Sequence, residues 1–290
     1  MARRKPEDNK KWSILLWVAL LIVAWELLAT FVADAKRTPE NVLPHLWQIG
    51  QSIFSTNLIN GSQTALQLVL SNAGITLLRA LIGFLLGAGI GFSLAVLMNL
   101  FRPVEKIAFP YLMIIQMIPI LGMAPIVLAV TKDIDRSRIV IAAILTFYPV
   151  ATNTLAGFKA VPKEKHELMY SIAAPKKDIY TKLLIPAAMP YFFTGLKVAA
   201  PLAITASILV DTLQGGAGLG TMLSQSLKHA MTIYVFWQIV FFSAAVGILS
   251  YNLMGVVERL ASPHRWGRRV VLPEGPSVPS EESQNEEVAQ

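Results

Sequence analysis

The chain contains no cysteine, which excludes disulfides and thiolate metal sites and removes any sign of redox compartment. It is also short of charge. Only 15% of its residues are Asp, Glu, Lys or Arg, against about 25% in a soluble globular chain. The four histidines (His45, His166, His229 and His264) are scattered, and neither an HExxH or GxSxG motif nor a close pair of carboxylates occurs. An enzyme within a membrane needs a nucleophile–base pair or a metal constellation, and the sequence holds none. The run Gln214-Gly-Gly-Ala-Gly-Leu-Gly220 superficially resembles a phosphate loop. It lacks the following Lys-Ser/Thr and a preceding strand, so nucleotide binding there is excluded.

Apolar residues are abundant. They make up 54% of the 290 residues, and the mean hydropathy is +0.54. The net charge of +7 would suit nucleic acid, but the positive residues sit beside apolar runs, the positive-inside signature of a membrane protein, and no nucleic-acid partner is expected. Ala80–Phe101, Ile107–Thr131, Ile139–Phe158 and His229–Val257 carry no Asp, Glu, Lys or Arg, and each is long enough for a spanning helix of about 20 residues. Two further runs hold ionisable residues: Trp12–Val32 contains Glu26, and Pro186–Leu213 contains Lys197 and Asp211. The reading is an all-α polytopic membrane protein of six transmembrane helices, near 12–33, 73–99, 108–131, 137–158, 187–212 and 233–257.

Lys and Arg set the orientation. They cluster before the first span (Arg3, Arg4, Lys5, Lys10, Lys11), after the second (Arg102, Lys106), after the fourth (Lys159 to Lys182) and after the sixth (Arg259, Arg265, Arg268, Arg269). These segments share the cytoplasmic side, so both termini are cytoplasmic. In Thr131–Arg138 the charges of Lys132, Asp133, Asp135, Arg136 and Arg138 nearly cancel. Residues 1–11 form a cytoplasmic N-terminus, and the first span, 12–33, is expected to be retained because it lacks a small-residue cleavage site. An external segment over 34–72 carries amphipathic turns with Leu46, Ile49, Ile53 and Phe54. The main membrane unit runs over 73–258. A cytoplasmic tail, 259–290, is expected to be disordered from about 272, where Pro, Ser and Glu dominate.

Within the spans, Gly83, Gly87 and Gly91 fall four apart, which puts them on one helix face and permits close helix approach, here within the chain. The third span carries Pro110, Pro119 and Pro125 with Gln116 and Gly122, and the fifth carries Pro190 and Pro201. Helices broken this often are buried or line a cavity. Intramembrane ionisable residues are functional candidates by default, yet Arg79 and Lys197 lie where they can snorkel, and Glu26 suits an interfacial role. Lys197 and Asp211 share a helix face but stand about 21 Å apart along it, too far to pair. Asn153 and Gln116 are uncharged polar groups of the kind that bond between helices. Gln116, Met117, Asn153, Ser207 and Asp211 are the candidates for a translocation path.

The segment from Val161 to Pro190, VPKEKHELMYSIAAPKKDIYTKLLIPAAMP, is too polar for a bilayer and too patterned for a plain loop. Glu164–Ile172 reads as one short helix, Ala173-Ala-Pro175 as a break, and Lys176–Leu184 as a second helix that Pro186 ends. The product is an elbow over 161–186 with one apolar side, open to two readings: a docking handle for a soluble protein, or an amphipathic helix lying on lipid.

Here the sequence resembles the permease subunits of type I ATP-binding-cassette importers, in the branch near the nitrate, sulfonate, taurine and bicarbonate permeases. That family's cytoplasmic signature runs Glu-Ala-Ala, three residues, Gly, then about nine residues to Ile-x-Leu-Pro. This chain has Glu167-Leu-Met-Tyr-Ser-Ile-Ala173 and then Leu184-Ile185-Pro186, with Ala173 where the family places the Gly that turns the elbow at positive φ. Trp25-Glu26, Leu78-Arg79-Ala-Leu-Ile-Gly-Phe84, Ile118-Pro119 through Ala124-Pro125, Asn153-Thr-x-Ala-Gly157, Gly195-Leu-Lys197, Asp211 before Gly218-Leu-Gly220, and Glu258-Arg259 with Trp266 resemble other stretches of the family in order, covering about 15–267. The resemblance implies a homodimer in a bacterial-type plasma membrane, two cytoplasmic ATPase subunits and an external solute-binding protein. ATP would be held by the partner, with no cofactor or metal on this chain and no catalysis of its own. It implies that Glu164, Glu167, Met169, Tyr170, Ile172, Ala173 and Pro186 couple to the ATPase while spans three to five open the path. A secondary transporter working without an ATPase is the alternative; it is expected to show coupling-ion carboxylates at mid-membrane, a role for which Asp211, near a membrane edge, is poorly placed.

Overall fold

The computed structural model describes residues 6–36, 42–59, 63–228 and 233–261, and helices account for nearly all of these. In order they are α1 (Pro6–Ala35), α2 (Leu46–Phe54), α3 (Ala65–Leu100), α4 (Arg102–Met117), α5 (Ile120–Thr131), α6 (Ile134–Lys159), α7 (Lys163–Ser171), α8 (Lys176–Asp178), a π-helical turn (Ile179–Leu184), α9 (Ile185–Gln214), α10 (Leu219–Lys228) and α11 (Ile233–Ala261). The expectation of a disordered tail, and the motif residue Trp266, lie outside the described residues.

Local sequence sets the long helices. Thr64 caps α3: its hydroxyl accepts from the Gln67 amide at 3.4 Å, and the Gln67 carboxamide accepts from the Thr64 amide at 3.2 Å, a reciprocal capping box. Asp133 caps α6 by accepting from the Arg136 amide at 2.8 Å. The glycine ladder then decides what packs where. A Cβ on Gly83 would lie 2.6 Å from the Ala142 Cβ, one on Gly87 2.6 Å from the Thr146 Cβ, and one on Gly91 2.6 Å from the Phe147 carbonyl. The ladder therefore seats α3 against α6 inside one chain, as its spacing suggests. Gly157 and Gly195 perform the same service between α6 and α9. These three helices form the centre of the bundle, with Phe84, Ile141, Val150, Phe193 and Val210 buried among them.

The third span departs from one straight rod. α4 and α5 meet at 111°, because Ile118 and Pro119 are both extended at the joint. Glu105 on the first turn of α4 pairs with Lys159 at the end of α6. The carbonyl of Ala124 on α5 accepts from Gln214 at the end of α9. The broken pair thus still travels from one end of the bundle to the other; among the described residues five helices are long and apolar enough to span a membrane, and the bent pair counted as one span makes six.

The interior prolines Pro149, Pro190 and Pro201 remain within helices. Their carbonyls accept side-chain hydrogen bonds from Asn153 (2.7 Å), Thr194 (2.9 Å) and Thr205 (2.9 Å), each four residues on. Asn153 therefore bonds within its own helix instead of across to another.

The first span stands apart. Only 6% of its most apolar window is buried, and its leucines and valines face outward. Its attachment is at one end, where Trp25 meets Trp237 edge-on at 4.8 Å and donates to the Pro44 carbonyl at 3.1 Å. Glu26 beside it bonds His45 Nδ1 at 2.6 Å and accepts from the Leu46 amide at 2.9 Å. Glu26 is thus an anchor for the segment leading into α2, in keeping with an interfacial role.

Candidate translocation and coupling sites

At the end of the bundle where α3, α6 and α11 begin and α9 finishes, four charges gather. Asp211 is fully buried, and Arg138 is 1% exposed. The Arg138 Nε lies 2.7 Å from Asp211 Oδ1, and Arg79 Nη1 lies 3.6 Å from the same oxygen. Thr76 donates to Asp211 Oδ2 at 2.8 Å while its own oxygen accepts from the Leu219 amide at 2.9 Å. Both arginines reach a second carboxylate: Asp135 Oδ1 lies 2.7 Å from Arg79 Nη2 and 3.1 Å from Arg138 Nη1.

The glycine run supplies the lid. Gly215, Gly216 and Gly218 all have positive φ, conformations that other residues adopt at a cost. The turn aims two carbonyls inward, so that Ala217 accepts from Arg79 at 2.7 Å and Gly215 accepts from Arg138. A side chain at Gly218 would collide with the Asp211 carboxylate. The run is a structural cap over an ion cluster, not a phosphate cradle. Beside it, Gln214 donates to Ser137 Oγ at 2.9 Å as well as to Ala124, clasping α5 to α6 and α9.

The path candidates do not converge. Ser207 is buried and donates to the Thr76 carbonyl at 3.3 Å, so it and Asp211 belong to the cluster. Gln116 and Met117 lie at the α4–α5 joint; Met117 is 81% exposed, and Gln116 makes no hydrogen bond among the described residues. Asn153 packs on Gly195 between α6 and α9. Arg79 turns to the cluster instead of snorkelling outward, and Lys197 pairs with Glu258 of α11.

The opposite end carries the elbow. α7 presents Leu168, Tyr170 and Ile172 at 63%, 70% and 65% exposure, flanked by exposed Glu164, Glu167, Lys163 and Lys165, while Met169 is half-buried. Ala173 makes the turn itself, at φ 49°, in the left-handed region where the resembling family keeps Gly. The second arm differs from expectation. It does not end at Pro186: α8 passes through the π turn into α9, giving one helix over Lys176–Gln214. The Ile185 amide reaches back five residues to the Tyr180 carbonyl, and Pro186, at the first turn of α9, needs no amide donor where the ladder changes register. Ile179 and Leu184 bury against Met98, Leu155, Phe158 and Val161. The apolar side of this arm faces the bundle, and only α7 offers a free apolar surface.

Arg138 does not stand out in the sequence because it sits at the end of a charged linker. The available signal was complementary charge at one depth: Arg79 early in the second span, Asp211 late in the fifth, and Asp135 with Arg138 three apart at the start of the fourth.

Residues 87–262 match the family described as binding-protein-dependent transport system inner membrane component. The chain is 27% identical to the formylaminopyrimidine transport permease ThiX of Halalkalibacterium halodurans, across 86% of this chain and 94% of that one. It is 25% identical to the nitrate import permease NrtB of Synechocystis sp., across 85% and 87%. It is 26% identical to the putative aliphatic sulfonates permease SsuC of Bacillus subtilis, across 89% and 90%. Among solved structures, the inward-facing MetNI methionine ABC transporter shares the fold, with a TM-score of 0.58 and 18% identity over 70% of this chain and all of that one. An all-helical bundle of five unbroken spans and one broken span, with a polar elbow between its fourth and fifth, agrees with that match: the chain belongs to the binding-protein-dependent inner membrane components, the multi-pass permease subunits of ABC importers.

Proposed function

We propose that this permease moves a small polar or anionic solute inward by alternating access, driven by ATP hydrolysis on a separate ATPase gripped through α7. The carrying observation is the elbow: three large apolar side chains, Leu168, Tyr170 and Ile172, stand exposed among charged neighbours on and just past α7, next to a second arm whose own apolar side is already buried. Lipid is a poor cover for it. An interfacial helix lays one apolar stripe on the membrane, whereas here the stripe bound to the bundle is on the other arm, and α7 adds only Met169 to it. In this reading Glu164 and Glu167 meet charged groups of the ATPase, Tyr170 and Ile172 fill its groove, and Ala173 and Pro186 fix the angle between the arms. Nitrate and sulfonate permeases among the relatives favour an anionic solute, while ThiX serves a formylaminopyrimidine. An external binding protein delivers the solute, and a second copy of this chain completes the path across the broken α4–α5 face with Gln116 and Met117. The N-terminus 1–11, the tail 259–290 and the elbow 161–186 face the cytoplasm, and 34–72 faces outward.

The test is Glu167→Lys and Tyr170→Ala in the reconstituted transporter with its ATPase and binding protein. Binding-protein-stimulated ATP hydrolysis is expected to fall about ten-fold or more, as truncation of a buried aromatic anchor at an interface does, with the permease still folded by circular dichroism. Unchanged stimulation in both variants overturns the reading.

A further inference from the structure

The ion cluster at the outer end divides into a permanent half and an exchangeable half. Asp211 is sealed: its carboxylate is fully buried, held by Thr76 and Arg138, and lidded by the glycine turn. Separating such a pair leaves an uncompensated buried charge. Asp135 is the opposite. Its side chain is 59% exposed, it stands on the first turn of α6, and one of its oxygens serves both guanidinium groups. Exposed ion pairs of this kind contribute little and exchange readily with water and dissolved ions.

Charge bookkeeping gives the exchange a direction. Two arginines face two aspartates, so the cluster is neutral while Asp135 is docked. When Asp135 swings into solvent, one positive charge is left uncompensated on Arg79 and Arg138, at the edge of an apolar bundle where its field is poorly screened. Arg79 Nη2 and Arg138 Nη1 are the atoms that lose their partner, and the Arg79 side chain, 12% exposed, is the one nearer solvent. A guanidinium presents planar paired donors that match the oxygens of nitrate, carboxylate and sulfonate.

We infer that Asp135 is a displaceable counter-ion occupying an anion subsite formed by Arg79 and Arg138, and that a small oxyanion entering from outside takes its place. This rests on the reading of the solute as an anion and assigns it a first contact. The neutral docked state holds the subsite closed between solutes without leaving the two arginines one counter-charge short.

The experiment needs neither ATPase nor binding protein, so its failure is separable from failure of the coupling reading. The purified full-length permease in lipid nanodiscs is titrated with sodium methanesulfonate, ionic strength being held with sodium chloride, and the thermal midpoint is followed. Wild type is expected to show a saturable rise. Asp135→Asn removes the competing carboxylate and is expected to reach the same rise at about ten-fold lower methanesulfonate, the scale of one nearby charge at an intermediate dielectric; Asp135→Ser is expected to behave alike. Arg79→Gln is expected to lose the rise. Equal midconcentrations in wild type and both Asp135 variants, a rise that survives Arg79→Gln, or no saturable rise in wild type and Asp135→Ser together would each overturn the assignment.

Discussion

Asp211 shows how one residue's environment fixes the outcome of its substitution. Asp211→Asn leaves the buried Arg138 guanidinium with only the exposed Asp135 carboxylate as counter-charge, so a loss of about 3 kcal/mol, the low end for a broken buried pair, is expected, read as a lowered thermal midpoint in detergent. Adding Arg138→Gln removes the orphaned charge and is expected to return more than half of that loss; a double variant no better than Asp211→Asn would show that the pair is not the unit. Ala173 is a second such residue. At φ 49° it bears the left-handed penalty of about 1–2 kcal/mol, and glycine would relieve it while adding about 0.5–1 kcal/mol of chain entropy to the unfolded state. Ala173→Gly is therefore expected to be neutral or stabilising by up to about 1.5 kcal/mol. Ala173→Val, β-branched at the same φ, is expected to lower the midpoint clearly. Unfolding of the three proteins side by side checks both.

Among elements, α3 offers a matched comparison between two glycines two residues apart. Gly87 faces α6 with no room for a Cβ, whereas Gly89 has nothing within 4 Å of its would-be Cβ. Gly87→Ala must push α3 and α6 apart and is expected to cost about 1–3 kcal/mol. Gly89→Ala only improves helix propensity and is expected to be neutral or stabilising by up to about 1 kcal/mol. Equal effects at the two positions would mean that the helices do not pack on this face. This ladder was legible beforehand because its period alone assigns it to one face. The α4–α5 break was half legible: Pro110, Pro119 and Pro125 announced weakness, but only Pro119 follows an extended residue, and which proline breaks a helix depends on what packs around it. The π turn was not legible, since nothing in Ile179–Leu184 departs from ordinary helix-forming composition; it exists because the elbow arm and the fifth span must join without losing the burial of both Ile179 and Leu184. The ion cluster was invisible for a related reason. Span-finding removes charges from the membrane one at a time, and a cluster appears only when α3, α6 and α9 are brought to one level.

For the whole molecule, the lack of cysteine is an experimental asset. Single-cysteine variants at Ser171 on α7 and Asn57 after α2, both exposed, can be labelled with a membrane-impermeant maleimide in intact cells. Asn57→Cys is expected to label from outside and Ser171→Cys only after the membrane is opened; the reverse pattern would invert the orientation drawn from the positive residues.

The uninterrupted helix from Lys176 to Gln214 makes the elbow arm and the lid-bearing end of the bundle two tips of one beam. At 1.5 Å per residue it is about 58 Å long. A tilt of about 5° about one tip swings the other by about 5 Å, more than the reach of any ion pair in the cluster. Whatever leans on Lys176 therefore leans, with leverage, on the glycine cap above Asp211.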